Sequence, residues 1–315
     1  MAASPAHAPG RTLRLATRGS AQATAQASAV ADALMAAHPG LEVQLVFVET
    51  LGDRRTDVPL HTMGGQGVFV KEVQRAVLAG DADFAAHSAK DLPSTVGDGL
   101  QLAAFCQRRD PRDALVGAAL HALPQGATLA TGSVRRRAQL QVVRPDLHFV
   151  ELRGNIHTRL TKVPDGGALV MAVTALQILG LTDLIAEVLP VEQFVPAPGQ
   201  GCVALECRAG DAGTAAVLAA VDHPQTRAEV LLERAFLAQL GTGCSLPVAA
   251  HAAGDVLSGF LADPDAGCTV SEAIAVDDAL PADRLARAAG FARHLQQRLA
   301  EAVADGAATG DAGSR

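Results

Sequence analysis

Apolar and polar positions along the first part of the chain change period in a regular way. Leu13-Arg14-Leu15-Ala16 alternates like a strand, and Ser20 then opens an Ala-rich helical stretch to about Ala37, stopped by His38-Pro39-Gly40. Val43–Val48 has the pattern of a strand, Phe69–Leu78 has helical spacing, and Phe84–Ala86 is a short strand before His87. The plan then repeats. Thr128–Thr131, Phe149–Leu152 and Ala168–Val173 are expected strands, separated by helices over Ser133–Val143 and Asn155–Lys162. Strands alternating with helices predict mainly parallel sheets covered on both faces. From about Pro224 the pattern differs: a helix over Glu229–Leu240, strand-like runs at Leu246–His251, Val256–Leu261 and Thr269–Val276, and a final helix from Ala282 to Val303. The expected fold class is α/β, with two similar doubly wound domains and a small α+β domain at the C-terminal end.

The two α/β blocks share a joint. Ala16-Thr17-Arg18-Gly19-Ser20 and Ala130-Thr131-Gly132-Ser133 each place small hydroxyl residues between a strand end and a helix start, with arginine close by. Such a joint offers unpaired backbone N–H groups, hydroxyl donors and the positive end of a helix dipole, a combination suited to carboxylate or phosphate. Two lobes of this kind suggest an anionic ligand in a cleft between them, an architecture like that of periplasmic binding proteins; the competing reading is chance similarity of two βα turns.

Composition narrows the function. Hydrophobic residues make up 49 % of the chain but there is no Trp or Tyr, so the bases of a nucleic acid have almost no stacking platform. A formal charge of -7 also argues against nucleic acid as a partner. Met1–Thr12 lacks the apolar run of a signal peptide, and no apolar run reaches the roughly eighteen residues of a membrane span. These features predict a cytoplasmic protein with no membrane partner. Cys106, Cys202, Cys207, Cys244 and Cys268 form an odd set without CxxC or zinc spacing, so neither a disulfide framework nor a metal site is expected.

Against that acidic background Arg135, Arg136, Arg137, Arg153 and Arg159 make a local basic region. Arginine binds carboxylate as a rigid fork, and Arg135 and Arg136 stand at a helix start, where the dipole disfavours cations. The competing reading is a solvated helix face with Arg137 pairing to nearby acids. His87-Ser88-Ala89-Lys90-Asp91 follows a strand and so lies at a carboxyl-terminal strand end, where ligands of open α/β sheets gather. Cys244, in the turn Gly241-Thr242-Gly243-Cys244-Ser245, is the cysteine exposed enough for covalent chemistry, whereas the other four read as small buried hydrophobes. Gly64-Gly65-Gln66-Gly67 lacks a P-loop lysine and the dinucleotide register, and reads as a mobile Gly-rich loop.

Taken together these segments resemble the porphobilinogen deaminase (hydroxymethylbilane synthase) family from about Leu13 to the last helix. The resemblance is carried by Ala16–Ser20, Gly64–Glu72, His87–Asp91, Arg109-Asp110-Pro111-Arg112-Asp113, Gly132–Arg136, Leu152-Arg153-Gly154-Asn155, Pro198-Gly199-Gln200-Gly201 and Gly243-Cys244, in the family's order and spacing. It implies a transferase that joins four porphobilinogens head to tail with loss of ammonia, giving hydroxymethylbilane on a dipyrromethane cofactor. That cofactor would be held by a thioether to Cys244, and Asp91 would be the catalytic carboxylate. By the same resemblance Arg18, Ser20, Lys90, Arg108, Thr131, Ser133, Arg135, Arg136, Arg153, Gly154, Asn155, Arg159 and Gln200 would bind cofactor and substrate. The expected division is a disordered 1–12, a first domain of 13–105 with 201–223, a second of 106–200, a cofactor-bearing third of 224–304 and a Gly-, Ala- and Asp-rich disordered tail of 305–315, in a monomer; the return to the first domain at 201 rests on the resemblance. Thr62, Gln66 and Ile178 stand where the family is usually basic, which predicts looser substrate binding or slower elongation. Two rival readings are a divergent paralogue with reduced activity and a two-lobed sensor that grips a small organic anion without chemistry. A sensor would need neither Asp91 nor an exposed Cys244.

Overall fold

A computed structural model of the chain describes residues 10–50, 52, 67, 69–241, 247–277 and 280–311, with side chains described as far as 305. Along the chain run β1 (Thr12–Arg18), α1 (Ala21–Ala37), β2 (Glu42–Val48), α2 (Lys71–Ala79), β3 (Phe84–Ser88) and β4 (Leu100–Phe105). There follow β5 (Asp113–Val116), β6 (Thr128–Ala130), α3 (Val134–Val143), β7 (His148–Val150), α4 (Ile156–Leu160), β8 (Ala168–Ala172), α5 (Val173–Ile178) and β9 (Ile185–Val188). The last part holds β10 (Val203–Arg208), α6 (Ala212–Leu218), α7 (Pro224–Leu240), β11 (Val248–Ala253), β12 (Val256–Asp263), β13 (Cys268–Ala275) and α8 (Pro281–Asp311). Among these residues no helix is long and apolar enough to cross a membrane.

The described residues form two compact units, one of residues up to 108 together with 202–227, the other of 109–201 and everything from 228 onward. In the first unit the sheet order is β2-β1-β3-β10-β4, with β1 parallel to β2 and β3, and β10 antiparallel to both of its neighbours. Leu13, Leu15, Leu34, Phe84 and Leu205 are buried together where α1 covers one face. On the other face Val73 and Val77 of α2 pack with Ala16 and Ala85.

The second unit repeats this topology as β7-β6-β8-β5-β9, with β6 parallel to β7 and β8, and β5 antiparallel to its two neighbours. Its sheet also separates two apolar layers, one around Leu115, Leu129 and Leu140, the other around Ile156, Leu169 and Leu176. β8 reads ALVMA and is buried at every position, as a central strand covered on both faces should be. The same unit contains an antiparallel sheet, β11-β12-β13, packed against α7 and α8 through Phe236, Phe291 and Leu295. Ala138 and Val195 share a core with Ala249, Phe260 and Ala262, which joins this α+β part to the second α/β sheet.

Most expected elements are present with shifted ends. The Gly10 amide donates to Gly40 O at 3.3 Å. α7 starts at Pro224, five residues before the expected Glu229, because proline is well suited to the first helical position. α8 runs to Asp311, past the expected end at Val303 and into the stretch read as a tail. Ala-rich sequence has high helix propensity, and that outweighs the loop signal of its glycines. β4, β5, β9, β10, α5 and α6 had no counterpart in the hydrophobic pattern; β5, for one, is short and buried at every position, and such a strand carries no alternation.

Candidate active site

In the first unit β1 and β3 are parallel neighbours, so the Arg18–Ser20 joint and the His87–Asp91 turn emerge at the same carboxyl end of the sheet. Ser20 caps α1, its Oγ accepting from Ala23 N at 3.3 Å. The buried Thr17 hydroxyl donates back to Ala23 O at 3.3 Å, which ties the joint to the helix. Arg18 is half-buried, with its guanidinium carbon 4.0 Å from the centroid of the Phe69 ring. Lys90 and Asp91 sit in a single 3-10 turn (Ala89–Asp91) whose first amide donates to Cys202 O at 2.9 Å, and both are half-buried.

Arg18, Gln26, Phe69, His87, Ser88 and Asp91 line one small polar cavity. Ser88 Oγ donates to Gln26 Oε1 at 3.1 Å, and buried His87 lies 3.4 Å from Glu206, whose other oxygen accepts from Gln74 at 3.1 Å. Asp91 lines this cavity together with Arg18 and, among the described residues, takes part in no ion pair. Arg108 sits apart from this group, its backbone amide held by Thr226 Oγ1 at 3.0 Å.

The second unit gathers its candidates around a carboxylate to which the sequence reading gave no role. Asp113 opens β5 and is 1 % exposed. Arg135 Nη2 donates to its Oδ2 at 2.7 Å, while Arg136 donates to Oδ1 from Nε at 3.1 Å and from Nη2 at 2.7 Å. Gln200 Nε2 adds a further bond to Oδ1 at 2.8 Å. Burial pushes the Asp113 carboxyl up, but the two guanidiniums and the bonds from Arg136 and Gln200 outweigh it and hold the group well below the usual carboxylate range. Arg135 is pulled down by its own burial, with Asp113 opposing. Two cations are tolerated at the start of α3 because a buried anion lies beside them.

Arg135 and Arg136 differ in what remains free. Arg135 is 5 % exposed, and its other Nη donates to Val195 O at 2.8 Å. Arg136 uses Nε, one hydrogen of Nη2 and, toward Val170 O at 3.0 Å, one of Nη1. A guanidinium has five N–H donors, so one on each Nη stays available among the described residues, enough for a carboxylate. Arg137 faces outward, 3.7 Å from Glu151, a surface pair of little energetic weight. The solvated-face reading thus fits Arg137 alone.

The neighbouring residues hold the frame. Ser133 Oγ caps α3 by accepting from Arg136 N at 3.4 Å, and the buried Thr131 hydroxyl accepts from Ser133 N at 3.2 Å. Thr131 N donates to Val150 O at 2.9 Å, which sets the Leu152–Asn155 loop beside this joint. Gly154 has φ +113, in the left-handed region, and a Cβ there would come 2.9 Å from Thr158. Asn155 is exposed, and its side-chain oxygen caps α4 by accepting from Thr158 N at 2.9 Å. Arg159 Nε donates to Gly154 O at 2.7 Å, and Arg153 is half-buried. Gln200 also donates to Pro111 O at 2.6 Å. Its turn is fixed by Gly199 N donating to Glu233 at 2.6 Å and by Gly201, where a Cβ would lie 2.6 Å from Arg109 O.

Cys244, with Thr62 and Gln66, falls outside the described residues. The other cysteines correct one expectation: Cys202 and Cys207 are buried, but Cys106 and Cys268 are only partly so. Burial and the charge of Asp222 push the Cys106 thiol up to about 12, which leaves it without nucleophilic thiolate at neutral pH. No group of three or more His, Cys, Asp or Glu among the described residues could hold a metal ion.

The fold and its two hydroxyl-capped, arginine-bearing strand ends define an α/β protein whose donor groups suit carboxylates. The family model for the porphobilinogen deaminase dipyromethane cofactor binding domain matches residues 13–216, and that for the porphobilinogen deaminase C-terminal domain matches 227–291. Over 270 residues the chain is 44 % identical to the porphobilinogen deaminase of Geobacter sulfurreducens, covering 83 % of this chain and 85 % of that protein. Identity to the Trichlorobacter lovleyi porphobilinogen deaminase is 42 % over 297 residues, covering 90 % and 95 % of the two chains. For the Xanthomonas oryzae porphobilinogen deaminase it is 49 % over 246 residues, covering 76 % and 81 %. The chain belongs to the porphobilinogen deaminase family.

Proposed function

We propose that this chain is a hydroxymethylbilane synthase, joining four porphobilinogens head to tail with release of one ammonia per unit. The observation that carries this reading is that each unit by itself holds carboxylate-binding machinery, Asp91 and Arg18 lining one cavity in the first and an anchored Arg136 that keeps donors for a carboxylate in the second. Each porphobilinogen brings an acetate and a propionate, so each addition brings two negative charges that need cations. The donor set suits a dipyrromethane cofactor, whose side chains are carboxylates of the same kind. When bound, that group supplies the pyrrole carbon on which the chain grows, and Cys244 is the residue that would tether it.

Asp91 is the catalytic residue of this reading. Loss of ammonia from the aminomethyl pyrrole leaves an electron-poor azafulvenium with a positive ring N–H. A fixed carboxylate beside that N–H stabilises the developing charge and can take the proton released after coupling. Half-burial in a polar cavity strengthens the effect relative to water. Arg18 binds a substrate carboxylate there, kept in place by Phe69, since a planar cation over an aromatic face loses orientational freedom. Lys90 adds charge, while the Ser20 and Ser133 caps present helix N-termini to anions. Arg136, Arg153, Arg159 and Arg108 bind further carboxylates, Thr131, Gly154 and Asn155 shape the loops that carry them, and Gln200 holds its place through Asp113. Residues 224–304 act as the cofactor-bearing domain, in a cytoplasmic monomer.

Intact mass tests this reading. Protein from cells able to make porphobilinogen should exceed its sequence mass by two linked pyrrole units, and Cys244→Ser should abolish the excess and the activity together. A plain apo mass from such cells would favour an anion sensor instead.

A further inference from the structure

We propose that Asp113 and Arg135 are a positioning pair that aims Arg136 and Gln200 and reduces the charge of the α3 arginine pair to a single positive unit. The inference rests on the reading above that Arg136 grips a carboxylate. It gives a role to a motif residue, Asp113, and changes that of Arg135 from ligand to support.

Geometry carries it. Arg135 is a poor ligand for anything mobile, because it is 5 % exposed and both of its Nη atoms are engaged, one by Val195 O at 2.8 Å and one by Asp113 at 2.7 Å. Arg136 is held along one edge by Asp113 Oδ1 and at Nη1 by Val170 O at 3.0 Å, so its guanidinium plane cannot rotate. Gln200 donates to the same oxygen at 2.8 Å, which links the turn after Pro198 to the arginine through one atom. Val195, the other partner of Arg135, exchanges hydrogen bonds with Gln139 on α3 at 2.6 and 3.0 Å. Both ends of the Val195–Gln200 segment therefore report to α3 through Arg135, Gln139 and Asp113.

Charge supports the same assignment. Two adjacent arginines at a helix start repel each other and the dipole. One buried carboxylate between them cancels one charge and leaves the other on Arg136, the better exposed of the two, at 11 % side-chain exposure against 6 % for Arg135. A guanidinium already ordered by the protein loses little freedom when a carboxylate arrives, so the pair should act on substrate binding more than on turnover.

The test compares three holoenzymes. In Asp113→Leu/Arg135→Met both buried ions become apolar groups, an exchange that often preserves folding, while Arg136 loses its anchor. A cooperative melt with the Michaelis constant for porphobilinogen raised roughly tenfold or more, and turnover changed far less, is the expected result. A Michaelis constant within about twofold of wild type would overturn the positioning role, provided that Arg136→Leu raises it. If Arg136→Leu itself leaves both the Michaelis constant and the cofactor mass unchanged, the carboxylate reading of Arg136 fails and this inference with it. Should the double variant not fold, Asp113→Glu serves instead, keeping the charge but moving it by one methylene. A raised Michaelis constant there supports positioning, and a wild-type value rejects it.

Discussion

The two strand-to-helix joints look alike in sequence and solve the same problem differently. At β1–α1 the arginine precedes the capping serine, is half-buried, and is steadied by the face of Phe69. At β6–α3 the arginines follow the cap and are locked by charge-assisted hydrogen bonds to Asp113. An aromatic face restrains a cation without neutralising it, and Arg18 lines the same cavity as Asp91. A buried carboxylate restrains more strongly but removes one charge, which is tolerable where two arginines stand together. The first joint is built beside the candidate catalytic group, and the second is built to hold.

This contrast can be broken at several strengths. Asp91→Asn should lower turnover by about 10²–10³-fold, the scale for removing a group that stabilises transition-state charge, with the cofactor mass retained. Steady-state kinetics combined with intact mass checks it, and near-normal turnover would take Asp91 out of the chemistry. Asp113→Asn should act on stability instead. Removing one partner of a buried ion cluster costs roughly 3–5 kcal/mol, read from chemical denaturation at neutral pH.

That cost should depend on pH in a definite direction. The folded Asp113 carboxyl lies below its unfolded value, near 3.9, so its stabilisation is complete above that value and is lost as pH falls through the folded one. The gap in melting temperature between wild type and Asp113→Asn should be wide at pH 7 and narrow as the pH drops below about 4. A gap that stays constant down to strong acid would show that packing, not charge, sets it.

The caps provide a smaller and symmetrical test. Ser20→Ala and Ser133→Ala each remove one N-cap acceptor and should cost about 1 kcal/mol in denaturant unfolding. Equal losses would confirm that the joints share their capping while differing in how they hold arginine. The smallest effect is expected from Ile178→Arg. Ile178 is half-buried at the end of α5, and a new cation there should lower the Michaelis constant up to about fivefold, the scale of a partly exposed charge contact. Unchanged Michaelis constant and turnover would remove the idea that this position weakens substrate binding.

Much of the fold was legible in the pattern because α1, β2, α2, α3 and the last helices have clean periods and clear stop signals. β5 and β10 were not, since both are short, largely buried and antiparallel strands inserted between neighbours distant in sequence. For the site, motif spacing singled out Arg18, Asp91, Arg136 and Gln200 as candidates. It could not tell that Arg135 faces inward and Arg137 outward, because adjacent positions on a helix point about 100° apart and only the packing shows which side is buried.

By itself the chain determined the alternation of strands and helices, the two hydroxyl-capped joints and the family to which it belongs, all of which depend on residues close together in sequence. Only the tertiary structure brought Asp113 against Arg135, Arg136 and Gln200, from positions 22, 23 and 87 residues away. The physical reason is burial: a carboxylate at the start of a strand is an ordinary surface charge until the sheet closes over it, and then it must be satisfied by whatever cations the fold delivers.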